Sequence, residues 1–471
     1  MALWNHDGLL KPPDLVTYEP ALRNLQANIL TGFYRDAARY GVVRIKPNSV
    51  AATRAAFGSL AKHLTRASDE IKSLSSTAGP PTLPALSIGF SSDGFKKLHE
   101  TLKPEPPFPS GRFSDLLQNI SAQPADWEAP FSLTDPIDAI VLIAAPTLAG
   151  TAALQKIVSD GLSSCVLGRI EWLSAFVKRN PETNRSIENF GFRDGISQPV
   201  FLSKDLMPAS RARGSRLASD PSTAPQNDFR EPPAPRTVLA WDPGKYAQDN
   251  EIGSYLAFLK IEQDIGLFDA AAATLAIERY QAQSPTAEQV EGGREWLIGR
   301  KRDGTPLVPS NGDLNSFTFP SDPLEPVEPV EPVCPFASHI RKMNPRIGLP
   351  HRIARRGMAY EEGGKKGIYF QCYQQNLETQ FEFLFRNWGN GGDVPEQNTG
   401  ADPLIGQPQP KTPTGDQHWP GVAKALDLRS LVTIRGGEYF YMPSIPYFER
   451  MAPATAPAPP PQPAVNPPVS S

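Results

Sequence analysis

The order of apolar patterns in the first 175 residues constrains this chain more than any other feature. YGVVRIKP, from residue 39, reads as a strand, and residues 51 to 74 carry apolar side chains every three or four positions, as a helix does. ALSIGF (85–90) is a short strand, 93–103 a small helix, DAIVLIAAP (138–146) a strong strand, 149–159 a helix and CVLGRIEWL (165–173) a strand. Without the small helix the order is βαββαβ, the ferredoxin-like split unit: an α+β sheet with helices on one face. A second α+β series follows, with strand GSYLAFLKIEQ (253–263), a long helix through AAAATLAIERYQ and another near 285–301. Strand GIYFQCYQ (367–374), an amphipathic helix to about 387 and strand EYFYMP (438–443) complete it. Two similar halves are expected, although no internal repeat is visible.

The chain has 471 residues, enough for two domains and a core that encloses a large apolar ligand. Its 51 prolines are about twice the usual fraction of roughly 5%. They cluster at 319–335, where EPVEPVEPV reads as a polyproline-like arm, and at 452–468, in a tail expected to be disordered. The expected domains are 1–203, a proline-rich crossing at 204–238, a second domain at 239–450 and the tail at 451–471. Lys plus Arg is 47 and Asp plus Glu 50, a formal net charge of −3 that does not suggest nucleic-acid binding. Cys165, Cys334 and Cys372 are too few for a disulfide framework. Pro146 and Gly150 interrupt the most apolar run (139–154), which is too short to span a membrane. The first residues, MALWNHDGLLKPPD, show no secretory pattern. A natural start at Met1 therefore implies a cytoplasmic protein, and a mature form of a longer precursor an extracellular one.

The chemistry centres on residues 334–346, CPFASHIRKMNPR. Pro335 suits a first helical turn and Asn344-Pro345 forbids continuation, so a helix of about two turns carries His339 near its start. His339, Lys342, Met343 and Arg346 then share a face. An imidazole with a cation about two turns away suits haem, whose iron takes the imidazole and whose propionate takes the arginine. From this stretch alone a satisfied structural histidine is the simpler reading.

CPFASHIRKMNPR resembles the proximal haem-ligand segment of the dye-decolourising peroxidases, especially the fungal ones. GFRDGISQP (191–199) resembles their Gly-x-x-Asp-Gly distal motif, and RIARRGMAY (352–360) the segment bearing their distal arginine. The three occur in the family's order, and weaker similarity runs from LQANIL (25–30) to GGEYFYMPS (436–444). The resemblance implies two ferredoxin-like domains of the dimeric α+β barrel type enclosing one haem b. It implies a peroxidase that uses hydrogen peroxide to oxidise dyes, phenolics and other aromatic compounds through a ferryl intermediate. The rival is a haem-binding, haem-transfer or deferrochelatase-like protein, which needs His339 but neither distal residue. The expected partners are peroxide and aromatic reducing substrates, with no nucleic acid and no membrane, in a monomer or homodimer.

Peroxide cleavage needs a base that becomes an acid, and a cation as the O–O bond breaks. Asp194, between residues that let backbone approach a flat ligand, fits the first role. Arg355 fits the second; its choice over Arg352 and Arg356 rests on the resemblance. An aspartate base implies best turnover under acidic conditions. The resemblance further assigns the carboxylate behind the axial imidazole to Asp427 and the apolar pair of the distal pocket to Ile368 and Phe370. It offers Trp388, expected to be partly exposed at a helix end, and Tyr360, close in chain to Arg355, as radical sites. The sequence departs from the fungal pattern in Met-Ala-Tyr (358–360) after the distal arginine and in the Glu-Pro-Val arm. Both affect the access channel rather than the chemistry.

Overall fold

Strand β1 (Ala37–Val43) lies between β3 (Ala139–Ala145) and β4 (Glu171–Phe176), antiparallel to both, and β3 carries β2 (Ala85–Phe90) on its far side. The order β2-β3-β1-β4 is that of the ferredoxin-like fold read from the sequence. This computed structural model describes residues 2–47, 50–75, 81–99, 107–109, 112–120, 127–131, 135–199, 201–202, 234–243, 250–308, 314, 317, 319, 334–345, 351–407, 416–428 and 431–451. Most of the expected crossing, the Glu-Pro-Val arm, Arg346 and the tail from 452 lie outside them.

Two boundaries differ from the sequence reading. The last strand of the first half runs over 171–176 rather than 165–173, because the chain turns at Gly168, whose φ of +70° suits glycine. The helix expected over 51–74 is two helices, Val50–Ser59 and Ala67–Ser75, separated where the backbone of Thr65 pairs with Leu86 of β2.

In the second half β5 (Ala240–Trp241) pairs with the start of β6 (Ile252–Gln263), and β7 (Ala354–Arg355) pairs with β9 (Lys365–Gln374). Strand β8 (Met358–Glu362) forms a hairpin with β9 whose two-residue turn is Gly363-Gly364, both at positive φ, as a tight hairpin requires. Strand β10 (Val432–Met442) lies on the other side of β6 from β9. The halves join at two places, Tyr441 opposite Phe90 and Phe176 opposite Ala359. Pairing of β6 with β9 then closes a ring of eight strands, β6-β10-β2-β3-β1-β4-β8-β9.

Side-chain alternation sorts residues between two environments. Tyr40, Leu142, Leu173, Leu256, Phe258, Tyr369, Tyr373 and Phe440 share one buried cluster, consistent with an eight-stranded barrel just wide enough for side chains to fill. Their neighbours point the other way, where Val141 and Ile143 of β3 pack with Phe57 and Val158 of the covering helices. Helices Ile265–Tyr280 and Ala287–Ile298 form a separate cluster that supports the histidine segment. Asp264 and Thr286 cap their starts, and Gly299, at φ +93°, ends the second. A Cβ on Gly299 would sit 2.5 Å from Cγ1 of Ile340 and 3.1 Å from Sγ of Cys334, so only glycine lets the histidine segment dock there.

Candidate active site

The helix carrying the histidine runs over His339–Met343, shorter than the two turns expected. Pro335 precedes it because Ser338 is held in extended backbone, its Oγ donating to the carbonyl of Trp296 at 2.5 Å. His339 therefore starts the helix, with its ring lining a cavity of about 430 Å³, within the range of small-molecule sites. Nδ1 of His339 lies 2.9 Å from Oδ2 and 3.2 Å from Oδ1 of Asp402. The fully buried Asp402 carboxylate also accepts the N–H groups of Leu404 (2.8 Å) and Ile405 (2.9 Å). Burial alone would raise its pKa, but His339 and these two N–H groups hold it below the usual carboxylate range. An ionised acceptor at Nδ1 puts the ring proton there and leaves the Nε2 lone pair bare, the form that binds a metal. Because the folded value lies below the unfolded one, the stability Asp402 contributes is present above about pH 3.9 and lost as pH falls through the folded value.

Asp402, not Asp427, is thus the carboxylate behind the histidine. The backbone of Leu426 pairs with Gln417 in both directions, burying Leu426 and Leu428 and turning Asp427 outward to an exposed position. A signal for Asp402 was present in Gly-Ala-Asp-Pro-Leu: an aspartate that accepts N–H groups two and three residues on is a common turn device.

Asp194 and Arg355 line the same cavity. Asp194 N donates to the carbonyl of Ser186 at 3.0 Å, and Oδ1 of Asp194 accepts from the N–H of Gly195, which sits at φ +85°. Arg355 reaches this loop from β7: Nη2 donates to the carbonyls of Ile196 (2.9 Å) and Ser197 (3.3 Å), and its backbone N–H to Oε1 of Gln198. Arg352 and Arg356 also border the cavity, but Arg356 is directed to the carbonyls of Asn28 and Ile29. Arg355 is thus tied to the Asp194 loop, as is Arg300, whose Nη2 donates to Oγ of Ser197 at 3.1 Å.

Glu188, which sequence reasoning missed, also reaches the cavity. It accepts from the N–H groups of Phe190 and Phe192 at 2.8 Å each and from Nε2 of Gln263 at 2.6 Å, closing the turn that leads to Asp194. Burial raises its pKa, the backbone donors and Gln263 oppose that, and the charge of Asp194 adds to the rise.

Ile368 and Phe370, two apart on β9, both face the cavity, while Tyr369 between them is in the barrel interior. Trp388 differs from expectation: it is 9% exposed and borders the cavity instead of the solvent. It lies in a segment wound as π-helix over Leu377–Glu382 and Leu384–Gly389, and the glycine-rich loop that follows folds back, with Asp402 N on the carbonyl of Gly389. Its indole lies edge-on to His351 (5.8 Å) and Phe383 (5.9 Å). Tyr360 also differs. It is 1% exposed and inside the barrel, does not border the cavity, and among the described residues its hydroxyl has no hydrogen-bond partner. Its nearest ring is Tyr369, at 4.6 Å.

A family model described as Dyp-type peroxidase, C-terminal, matches residues 234–398. Across 91% of this chain and 96% of the relative, the sequence is 30% identical to a multifunctional dye peroxidase of an Amycolatopsis species. The chain belongs to the dye-decolourising peroxidase family. A dye-decolorizing peroxidase of Mycetinis scorodonius is 26% identical over 90% of this chain and 86% of its own. Among solved structures, the Amycolatopsis protein superposes with a TM-score of 0.77 at 27% identity, covering 96% of this chain and 100% of that one. A DyP-type peroxidase of Anabaena superposes with a TM-score of 0.76 at 26% identity, covering 95% and 98%. Dye-decolourising peroxidases are haem enzymes of ferredoxin-like α+β fold, and the eight-stranded ring described above is consistent with that fold. Among the described residues no helix is long and apolar enough to cross a membrane.

Proposed function

We propose that the cavity holds one haem b with Nε2 of His339 as axial ligand, and that the protein uses hydrogen peroxide to oxidise dyes, phenolics and other aromatic compounds. The observation that carries this reading is the convergence on one cavity of an aspartate-backed histidine with Asp194 and Arg355. The residues present fit the group. His339 offers a bare ring nitrogen, Met343, Ile368, Phe370 and Leu404 supply apolar walls, and arginines border the same space. Arg346, outside the described residues, is proposed to meet a propionate. When bound, haem supplies the redox-active iron that accepts the oxidising equivalents of peroxide.

The protein's part is to move one proton and steady one charge. Asp194 takes a proton from the near oxygen of peroxide and returns it to the far oxygen, which leaves as water. Arg355, permanently cationic and already fixed to the loop of Asp194, stabilises the negative charge that develops as the O–O bond breaks. Asp402 keeps the Nδ1 proton of His339 partly withdrawn, making the ligand nitrogen a stronger donor. A protein that only stored or transferred haem would need none of the Asp194 and Arg355 arrangement. Peroxide-dependent bleaching of an anthraquinone dye by the wild-type protein tests the reading; bleaching that proceeds equally without peroxide contradicts it.

Trp388 fits an internal step for substrates too large to enter. It borders the cavity, and its contact His351 is half-buried and stacks on Phe383 at 3.6 Å, so aromatic groups continue outward from the indole. In Trp388→Phe, turnover of a bulky anthraquinone dye should fall sharply while a small phenol that enters the cavity is spared. Equal retention of both activities removes Trp388 from the path. Tyr360 is the weaker of the two candidates, because a phenol that loses an electron must also release its proton, and no acceptor meets its hydroxyl among the described residues.

A further inference from the structure

Lys342 is a charged group beside the site that the proposed chemistry leaves unused. It shares the five-residue helix with His339 and Met343, but those two border the cavity whereas Lys342 does not and is fully buried. An ammonium without water is rare in protein interiors and needs compensation. Its Nζ donates to the carbonyls of Gly391 at 2.9 Å and Val394 at 2.6 Å. Both partners are neutral. The carboxylates whose charge acts on it are Asp402 and Asp393.

These contacts converge on one loop. Asp402 is held in it by its own N–H to the carbonyl of Gly389 and by Gly400 N to the carbonyl of Gly392, each 2.8 Å. The short helix therefore grips the loop twice, through His339 on Asp402 and through Lys342 on Gly391 and Val394. Neutral donors would satisfy two carbonyls equally well, so the carbonyls alone do not account for a buried positive charge. The loop that Lys342 grips also holds the buried carboxylate of Asp402, which the same helix reaches through His339. Among the described residues the ion-pair partner of that carboxylate is His339, which is a neutral imidazole when Nε2 is bound to a metal.

We propose that Lys342 is a positioning residue that balances the charge of Asp402 and so limits how much negative character the aspartate lends to His339. The proposal rests on His339 being the axial ligand. Removing the ammonium leaves the carboxylate to draw the Nδ1 proton more strongly, and a more anionic ligand favours ferric over ferrous iron. The midpoint potential of the reconstituted protein then moves to more negative values. A purely mechanical clamp predicts the reverse, since a loosened loop weakens the bond between Asp402 and His339.

The test is spectroelectrochemical titration of haem-reconstituted wild type, Lys342→Gln, Lys342→Met and Asp402→Asn. Lys342→Gln keeps a donor for the carbonyls and is the deciding variant. Its potential should lie below that of wild type, with Lys342→Met moving the same way and Asp402→Asn moving above; an unchanged or higher potential in Lys342→Gln overturns the proposal. If the single Lys342 variants do not fold, Asp402→Asn/Lys342→Met, which removes both buried charges, takes their place. It should match Asp402→Asn alone, because no carboxylate is left to balance, and a potential well below that of Asp402→Asn overturns the proposal. No response of the potential to Asp402→Asn overturns the axial role of His339 and the proposal with it.

Discussion

Asp194→Asn and Arg355→Leu each slow the reaction with peroxide by orders of magnitude while haem stays bound. An amide cannot accept the proton of the near peroxide oxygen, and loss of a positioned general base or acid typically costs about 10²–10⁴-fold in rate. Arg355→Leu removes a fixed, half-buried cation from the cavity wall, where one such donor is worth about 10²–10³-fold. It also releases the carbonyls of Ile196 and Ser197 that follow Asp194 in its loop. Arg355→Lys separates the two effects: it restores the charge but not the planar fork, so its rate should fall between wild type and Arg355→Leu. Stopped-flow mixing with peroxide measures all four proteins. Rates near wild type in both Asp194→Asn and Arg355→Leu would favour haem storage or transfer over peroxidase chemistry.

His339→Ala loses most of its haem. The other histidine bordering the cavity is His351, whose Nδ1 lies 2.5 Å from the carbonyl of Thr379 and whose ring is stacked on Phe383, so it is committed elsewhere. Alanine also leaves the buried carboxylate of Asp402 without its principal partner, so the loop around Asp402 should loosen as well. Haem content per chain after reconstitution and desalting measures the effect, and full loading with an unchanged spin state would remove His339 from the ligand role.

What the sequence revealed and what it hid follow one physical division. The strands of the first half were legible because apolar runs such as AIVLIAA are buried on both faces, and the ligand helix because Pro335 and Asn344-Pro345 bracket it. Asp194 and Arg355, 161 residues apart, met in one cavity as the family resemblance implied. Closure of the barrel was implied by the family resemblance alone: β10 meets β2 through Tyr441 and Phe90, and β4 meets β8 through Phe176 and Ala359, single pairings that leave no periodic trace. The carboxylate behind His339 was missed for the same reason, since the contact with Asp402 is made across 63 residues.

The two radical candidates show the limit of arguing from chain proximity and composition. A tryptophan followed by Gly-Asn-Gly-Gly-Asp reads as exposed, yet the loop returns to cover it, with Ile405 packed against the backbone of Gly389. Tyr360 lies five residues after Arg355, but β8 begins between them and its alternation turns the phenol into the barrel. The half-buried Glu188 and the buried Lys342 were also invisible, because the surroundings of a single polar residue depend on distant segments that supply its partners.

The most direct measurement is the absorption spectrum of the purified protein reconstituted with haem, before and after one equivalent of hydrogen peroxide. The expected result is a Soret band at one haem per chain that changes promptly on adding peroxide and returns when a phenol is supplied. Absence of a Soret band, or a band that peroxide leaves unchanged, would contradict a peroxidase built on His339, Asp194 and Arg355.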